Sequence, residues 1–141
     1  MKEILDKVKR PCIRYTEATE ENVTQADCLI IDCYGLLSSI YRYGEISYIG
    51  GGFGVGIHNV LEAAVYGIPV VFGPNNKKFR EAQHLLEQKG GFEVTGYDDF
   101  KRLMDKFLSD KACLQQAGKA AGNYVNHNAG ALEKIMKDIT L

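Results

Sequence analysis

The chain has 141 residues, with 17 basic and 18 acidic side chains, a net charge of −1, 45% apolar residues and 25% charged residues. That length favours one domain around one core, and the balance is that of an ordinary soluble globular protein. No basic stripe stands out, which argues against a broad nucleic-acid surface, and the longest apolar stretch, Asn59 to Gly73, is broken by Glu62, Gly67 and Pro69 and is too short to span a bilayer.

The start of the chain is charged and amphipathic, unlike a signal peptide. Lys2 to Lys9 carries Ile4, Leu5 and Val8 at helical spacing, and Pro11 stops that helix because the residue before proline avoids the helical region. Cys12 to Thr16 reads as a short strand and Glu17 to Asp27 as a polar connection. Cys28 to Asp32 is an apolar burst between Asp27 and Gly35, the mark of a buried strand. A short helix is expected over Leu36 to Tyr43, then a strand over Ile46 to Ile49. Val55 to Tyr66 is expected to be helical, with Gly67 in the C′ position. Pro69 to Phe72 reads as a strand and Gly73 to Asn76 as a loop.

Lys77 to Lys89 places Phe79, Ala82, Leu85 and Leu86 on one helical face, and Gly90-Gly91 breaks it before a last strand over Phe92 to Thr95. From Asp98 the pattern is helical. Phe100, Leu103, Met104, Phe107 and Leu108 form one stripe, Leu114, Ala117, Ala121 and Val125 a second, and Leu132, Ile135, Met136 and Ile139 a third. Cys12, Cys28, Cys33 and Cys113 form no CxxC pair, and His58, His84 and His127 lack ligand spacing, so reduced thiols and no metal site are expected. Alternating buried strands and helices predict a single α/β domain over residues 1–141, a Rossmann-like parallel sheet with flanking helices and a helical C-terminus. Such sheets bind ligands at the C-terminal ends of their strands.

The residues after Ile49 are Gly50-Gly51-Gly52-Phe53-Gly54-Val55-Gly56, followed by the expected helix. Glycines permit close backbone approach, and a helix start favours an anion, so the loop reads either as a phosphate cradle or as a tight connection. It lacks the Gly-Lys-Ser/Thr ending of a P-loop, and no acidic residue closes the strand at Phe72 to hold a dinucleotide ribose. His58, Asn59 and Glu62 share one face of the expected helix at its first turn. Glu62 serves there either as compensation for the helix dipole or as acceptor for a ribose diol, and spacing does not separate the two. Lys77 or Lys78 is within loop reach of a phosphate, with Lys77 read as the solvated start of a helix.

Ile49-Gly50-Gly51-Gly52, His58-Asn59-Val60-Leu61-Glu62, Gly67-Ile68-Pro69-Val70-Val71-Phe72-Gly73-Pro74 and Phe79 together resemble the 3-deoxy-D-manno-octulosonic acid (Kdo) transferases, glycosyltransferases of GT-B fold. Asp32 to Leu37 with Tyr41, Arg14 to Glu17, and Asn128 to Ala131 extend the likeness over nearly the whole chain. The sequence departs from the family pattern at Leu36, at Ala63, in a shorter glycine loop and at Lys78 before Phe79. The resemblance implies the C-terminal, donor-binding half of a two-domain enzyme, lacking its first strands. An N-terminal half would supply the membrane anchor, the lipid A precursor site and the catalytic carboxylate. It implies CMP-Kdo as substrate, no cofactor or metal, no catalytic residue in this chain, and action at the cytoplasmic face of the bacterial inner membrane, with the part represented here soluble.

Carried over residue by residue, the resemblance implies that Gly50, Gly51, Gly52 and Gly54 approach the donor phosphate. His58 and Asn59 shape the loop and helix start, Glu62 holds the ribose, and Tyr34 lies where the base passes. A UDP-sugar transferase domain and a non-catalytic nucleotide-binding module are the alternatives. If the missing strands lie between Cys12–Thr16 and Cys28–Asp32, an open edge is expected there. Either a homodimer would cover that edge or the N-terminal segment would be rearranged.

Overall fold

The computed structural model describes residues 10–33 and 35–139, with side chains described as far as Asn128. The helix expected over Lys2 to Lys9, the side chain of Tyr34 and the apolar stripe from Leu132 to Ile139 lie outside what it describes. The chain falls into two compact units that meet in sequence between Ile40 and Tyr41.

In the first unit, β1 (Cys12–Arg14) pairs in parallel with β2 (Cys28–Ile30), Cys12 opposite Cys28 and Arg14 opposite Ile30. No gap for further strands lies between them, so the edge of β2 expected to lie open is instead occupied by the N-terminal strand β1. Asp32, just past β2, ties the two strand ends together. It accepts from the Thr16 N–H (3.1 Å) and from the Thr16 hydroxyl (2.6 Å). The hydroxyl bond is the main reason its carboxyl titrates below the usual aspartate range. The helix expected over Leu36 to Tyr43 is divided. Leu37–Ile40 forms α1 and Tyr41–Tyr43 a single 3₁₀ turn. Ser39 Oγ donates back to the Leu36 carbonyl (3.1 Å), a local bond that weakens helix propagation.

The second unit holds a three-stranded parallel sheet in the order β3 (Ser47–Ile49), β4 (Val70–Phe72), β5 (Gly91–Glu93). β4 is central, and its three residues are fully buried. Strand alternation sends Val70 and Phe72 to one face and Val71 to the other. Val70 and Phe72 join Ile49, Val60, Ala63, Ala64, Leu85 and Tyr124, while Val71 joins Val94, Phe107 and Ala117. Each such buried Val, Leu or Phe side chain contributes roughly 1.5–3 kcal/mol. Ser47, buried at the start of β3, satisfies its hydroxyl on the Pro69 carbonyl at 2.9 Å.

The helices are α2 (Leu61–Ala64), α3 (Arg80–Glu87), α4 (Tyr97–Ser109) and α5 (Lys111–Ile139), and α5 packs against the other three. Gly67 takes positive φ (71°) two residues past the Val65 C-cap of α2, one position beyond the C′ site expected for it. Leu114, Ala117, Ala121 and Val125 face the core as the periodicity predicts, but Leu108 is 70% exposed because α4 ends at Ser109 with Leu108 turned outward.

Two helix starts fall later than the sequence predicts. The helix expected from Val55 begins at Leu61, because the intervening amides are used elsewhere. The Gly56 N–H donates to the Gly51 carbonyl (3.1 Å), that of Ile57 to Asn75 (3.3 Å) and that of His58 to Gly50 (3.1 Å). The helix expected from Lys77 begins at Arg80, because Phe79 is extended and its N–H closes a turn on the Asn76 carbonyl (3.0 Å). Among the described residues no helix is long and apolar enough to cross a membrane.

Candidate functional site at the carboxyl ends of the strands

Two loops leave the carboxyl ends of the adjacent parallel strands β3 and β4 and pack against each other. The first runs from Gly50 to Val60, the second from Gly73 to Phe79. Gly52 and Gly73 touch backbone to backbone. A Cβ on Gly52 would lie 2.4 Å from the Gly73 nitrogen, a distance no real side chain occupies. Gly51 has φ of 91°, and an added Cβ would meet the Gly56 carbonyl oxygen at 2.2 Å. The glycine-rich stretch thus divides in two. Gly51 and Gly52 are required by the loop's own packing. Gly50 and Gly54, each with 3.8 Å to the nearest neighbour of an added Cβ, leave open space on the surface where a ligand would approach.

His58 donates its N–H to Gly50, and its ring lies over the glycines, with Cδ2 3.4 Å from the position of a Gly51 Cβ. Asn59 Oδ1 accepts from the Leu61 N–H at 2.8 Å and so starts α2. The structure therefore corrects the expected helical face. His58 and Asn59 precede the helix, and only Glu62 lies on it. His58, Asn59, Leu61, Phe79 and Glu81 line one cavity of about 360 Å³. Glu62 is not among its walls. The Glu62 charge is instead felt at Tyr41, whose phenol is raised above its ordinary range first by burial and then by that carboxylate. A second cavity of about 550 Å³, lined by Tyr48, Phe53, Tyr97 and Phe100, is almost wholly apolar. Tyr34 lies outside the described residues. Among the described residues no three His, Cys, Asp or Glu side chains gather as metal ligands would.

The second loop carries a polar network that the sequence reading missed. Asn76 is fully buried. Its Nδ2 donates to the Gly73 carbonyl (2.9 Å) and to Glu93 Oε1 (2.8 Å), and its Oδ1 accepts from Gln83 Nε2 (2.7 Å). Every polar atom of the amide is satisfied, as burial demands. Lys77 Nζ lies 3.0 Å from Glu93 Oε1, so the lysine read as a solvated helix start is paired at the end of β5. The Asn76 bond, and next the Lys77 bond, hold the Glu93 carboxyl below the usual glutamate range. In the sequence the only trace of this network is an Asn-Asn pair after Gly-Pro. Gln83 sits seven residues on, in the first turn of α3, while Glu93 lies beyond that helix and becomes a neighbour only when β5 pairs with β4.

Parallel strands flanked by helices, with a glycine-rich loop and a second loop at adjacent strand ends, make this a domain of the C-terminal GT-B kind. No family model matches the chain. Its similarity is to 3-deoxy-D-manno-octulosonic acid transferases. It is 36% identical to that of Aquifex aeolicus (strain VF5) over 62% of the chain and 25% of the relative. It is 27% identical to that of Rickettsia felis (strain ATCC VR-1525 / URRWXCal2) over 99% of the chain and 31% of the relative, and 25% identical to that of Haemophilus influenzae (strain ATCC 51907 / DSM 11121 / KW20 / Rd) over 94% and 32%. The chain thus spans about a quarter to a third of the length of these relatives. In fold it matches the crystal structure of the C-terminal CMP-Kdo binding domain of WaaA from Acinetobacter baumannii, with a TM-score of 0.75 and 19% identity, over 87% of this chain and 64% of that one. The resemblance carried by Gly50 to Pro74 is therefore part of a likeness to the C-terminal portion of Kdo transferases that extends over most of the chain.

Proposed function

We propose that this chain binds CMP-Kdo through the loops after β3 and β4, as the donor domain of a transferase that moves Kdo onto a lipid A precursor in lipopolysaccharide synthesis. The observation that carries the reading is the glycine loop running into His58-Asn59-Val60-Leu61-Glu62, in a chain whose relatives are named Kdo transferases. The fold likeness to a CMP-Kdo binding domain supports it. Gly50 and Gly54 supply the open surface for the donor phosphate, and Gly51 and Gly52 the loop shape that presents it. Glu62 accepts from the ribose hydroxyls, and Tyr34 stands on the path of the base. The acceptor site, the catalytic carboxylate and the attachment to the cytoplasmic face of the inner membrane belong to an N-terminal half, and no metal takes part.

Thermal melts with CMP, UMP and UDP test this reading. A ligand at a hundred times its Kd stabilises by about 2.7 kcal/mol, or roughly 8–10 °C in a chain of this size. CMP is expected to give that shift at the lowest concentration. Stronger protection by UDP would replace the reading with that of a UDP-sugar transferase domain.

A further inference from the structure

Asn75 holds the glycine loop at three points. Its N–H donates to the Gly52 carbonyl (2.7 Å), its own carbonyl accepts from the Ile57 N–H (3.3 Å), and its side-chain Nδ2 donates to the Gly54 carbonyl (2.6 Å). In a trans peptide the C=O and N–H point in opposite directions. With the carbonyls of Gly52 and Gly54 drawn to Asn75, the amides that follow them, those of Phe53 and Val55, face away from it. The amide between these two, that of Gly54, is used internally on the Gly51 carbonyl (3.0 Å). Among the described residues the N–H groups of Phe53 and Val55 have no acceptor. Phe53 is 59% exposed and Val55 fully so. Two unspent backbone donors on one side of a glycine turn are suited to an anionic oxygen.

We propose that Asn75 is the positioning residue of this loop. Its side-chain amide fixes the Gly54–Val55 peptide, so that the N–H groups of Phe53 and Val55 are aimed together at a phosphate oxygen of the donor. The proposal rests on the reading of the loop as a nucleotide-phosphate site. Asn75 itself touches no ligand. Its side chain matters because the space beside Gly54 is open: an added Cβ would meet only the Gly51 oxygen, 3.8 Å away, and the Gly54 carbonyl is bonded to Asn75 Nδ2.

The test is calorimetric titration of the 141-residue chain with CMP and with cytidine, for wild type, Asn75→Ala and Asn75→Leu, beside their melting temperatures. Both variants keep the two backbone bonds and lose Nδ2, and leucine keeps the shape. CMP affinity is expected to fall about tenfold, the worth of one charge-assisted hydrogen bond, with cytidine affinity unchanged. A role confined to folding would lower both ligands in parallel or lower only the melting point. Parallel loss, or unaltered CMP binding, overturns the proposal. If a variant melts much earlier, the amide ¹⁵N–¹H shifts of Phe53 and Val55 under CMP, read below its transition, decide. Wild-type shifts refute the role, and their loss upholds it. Wild type that binds neither ligand would instead overturn the phosphate reading on which the proposal stands.

Discussion

Replacing Asn76 by alanine removes the buried hub of the loop after β4. Three hydrogen bonds go with it, to Gly73, Glu93 and Gln83. They are not equal. Gly73 is buried, so its carbonyl is left without a partner, at a cost of about 1–3 kcal/mol. Glu93 keeps Lys77, and its side chain is 27% exposed, so water replaces most of what it loses. Gln83 keeps its bond to the Asn76 backbone carbonyl (2.8 Å). These two add about 0.5–1.5 kcal/mol together. A total of about 2–4 kcal/mol lowers the melting temperature of a chain this size by roughly 6–15 °C.

The variant also changes the acid limb. Glu93 titrates low in the folded protein, so it contributes stability above its unfolded value, and this is lost as pH falls through the folded one. Without Asn76, the first cause of that depression, the folded value moves back up. The loss of stability below roughly pH 4 is then shallower than in wild type. Calorimetric melts between pH 3 and 7 (the assay range, about four units) read both effects. A fall of under about 2 °C at neutral pH would show that Asn76 is not the hub described here.

Lys77→Ala should shift the melting point by no more than the worth of an exposed ion pair, about 0–1 kcal/mol, since Lys77 is 70% exposed. Gly52→Ala should destabilise the chain strongly because its Cβ has no room beside Gly73, whereas Gly54→Ala should melt like wild type; equal melts would contradict the division of the loop into packed and open glycines. Glu62→Ala should weaken CMP binding by about tenfold or more if the carboxylate holds the ribose, since a charged hydrogen bond is worth about 1.5–3 kcal/mol. A small loss of stability with unchanged affinity would assign it to the helix dipole instead. Glu62→Gln should also lower the Tyr41 phenol pKa towards its ordinary value, read by ¹³C NMR of the ring, and no movement would show that the Glu62 charge does not act on Tyr41.

The strands were legible in position, since all five lie within the expected segments or one residue beyond them, but not in burial: β2, expected to be buried, has no buried residue and leaves Leu29 40% exposed. The helix stripe of α4, apart from Leu108 at a helix end, and that of α5 from Leu114 to Val125 were legible from period alone. The start of α2 was not, since periodicity cannot show that the amides of Gly56, Ile57 and His58 are committed to Gly51, Asn75 and Gly50. Only the Ile57–Asn75 bond is long-range in sequence, but together the three delay the helix and leave Glu62 outside the cavity that His58 and Asn59 share. The glycine loop was found by composition, but composition does not reveal which glycines serve packing. Asn75 and Asn76 gave no signal beyond loop polarity, because Gly52 and Gly54 reach Asn75, and Glu93 reaches Asn76, only when the strands pair.

The most direct measurement is a map of backbone amide shifts when CMP is added to the 141-residue chain. The largest changes are expected at Gly50 to Val55 and at Asn59 to Glu62, in the loop and helix that follow β3. Changes confined to α4 and α5, with the glycine loop unmoved, would contradict this expectation.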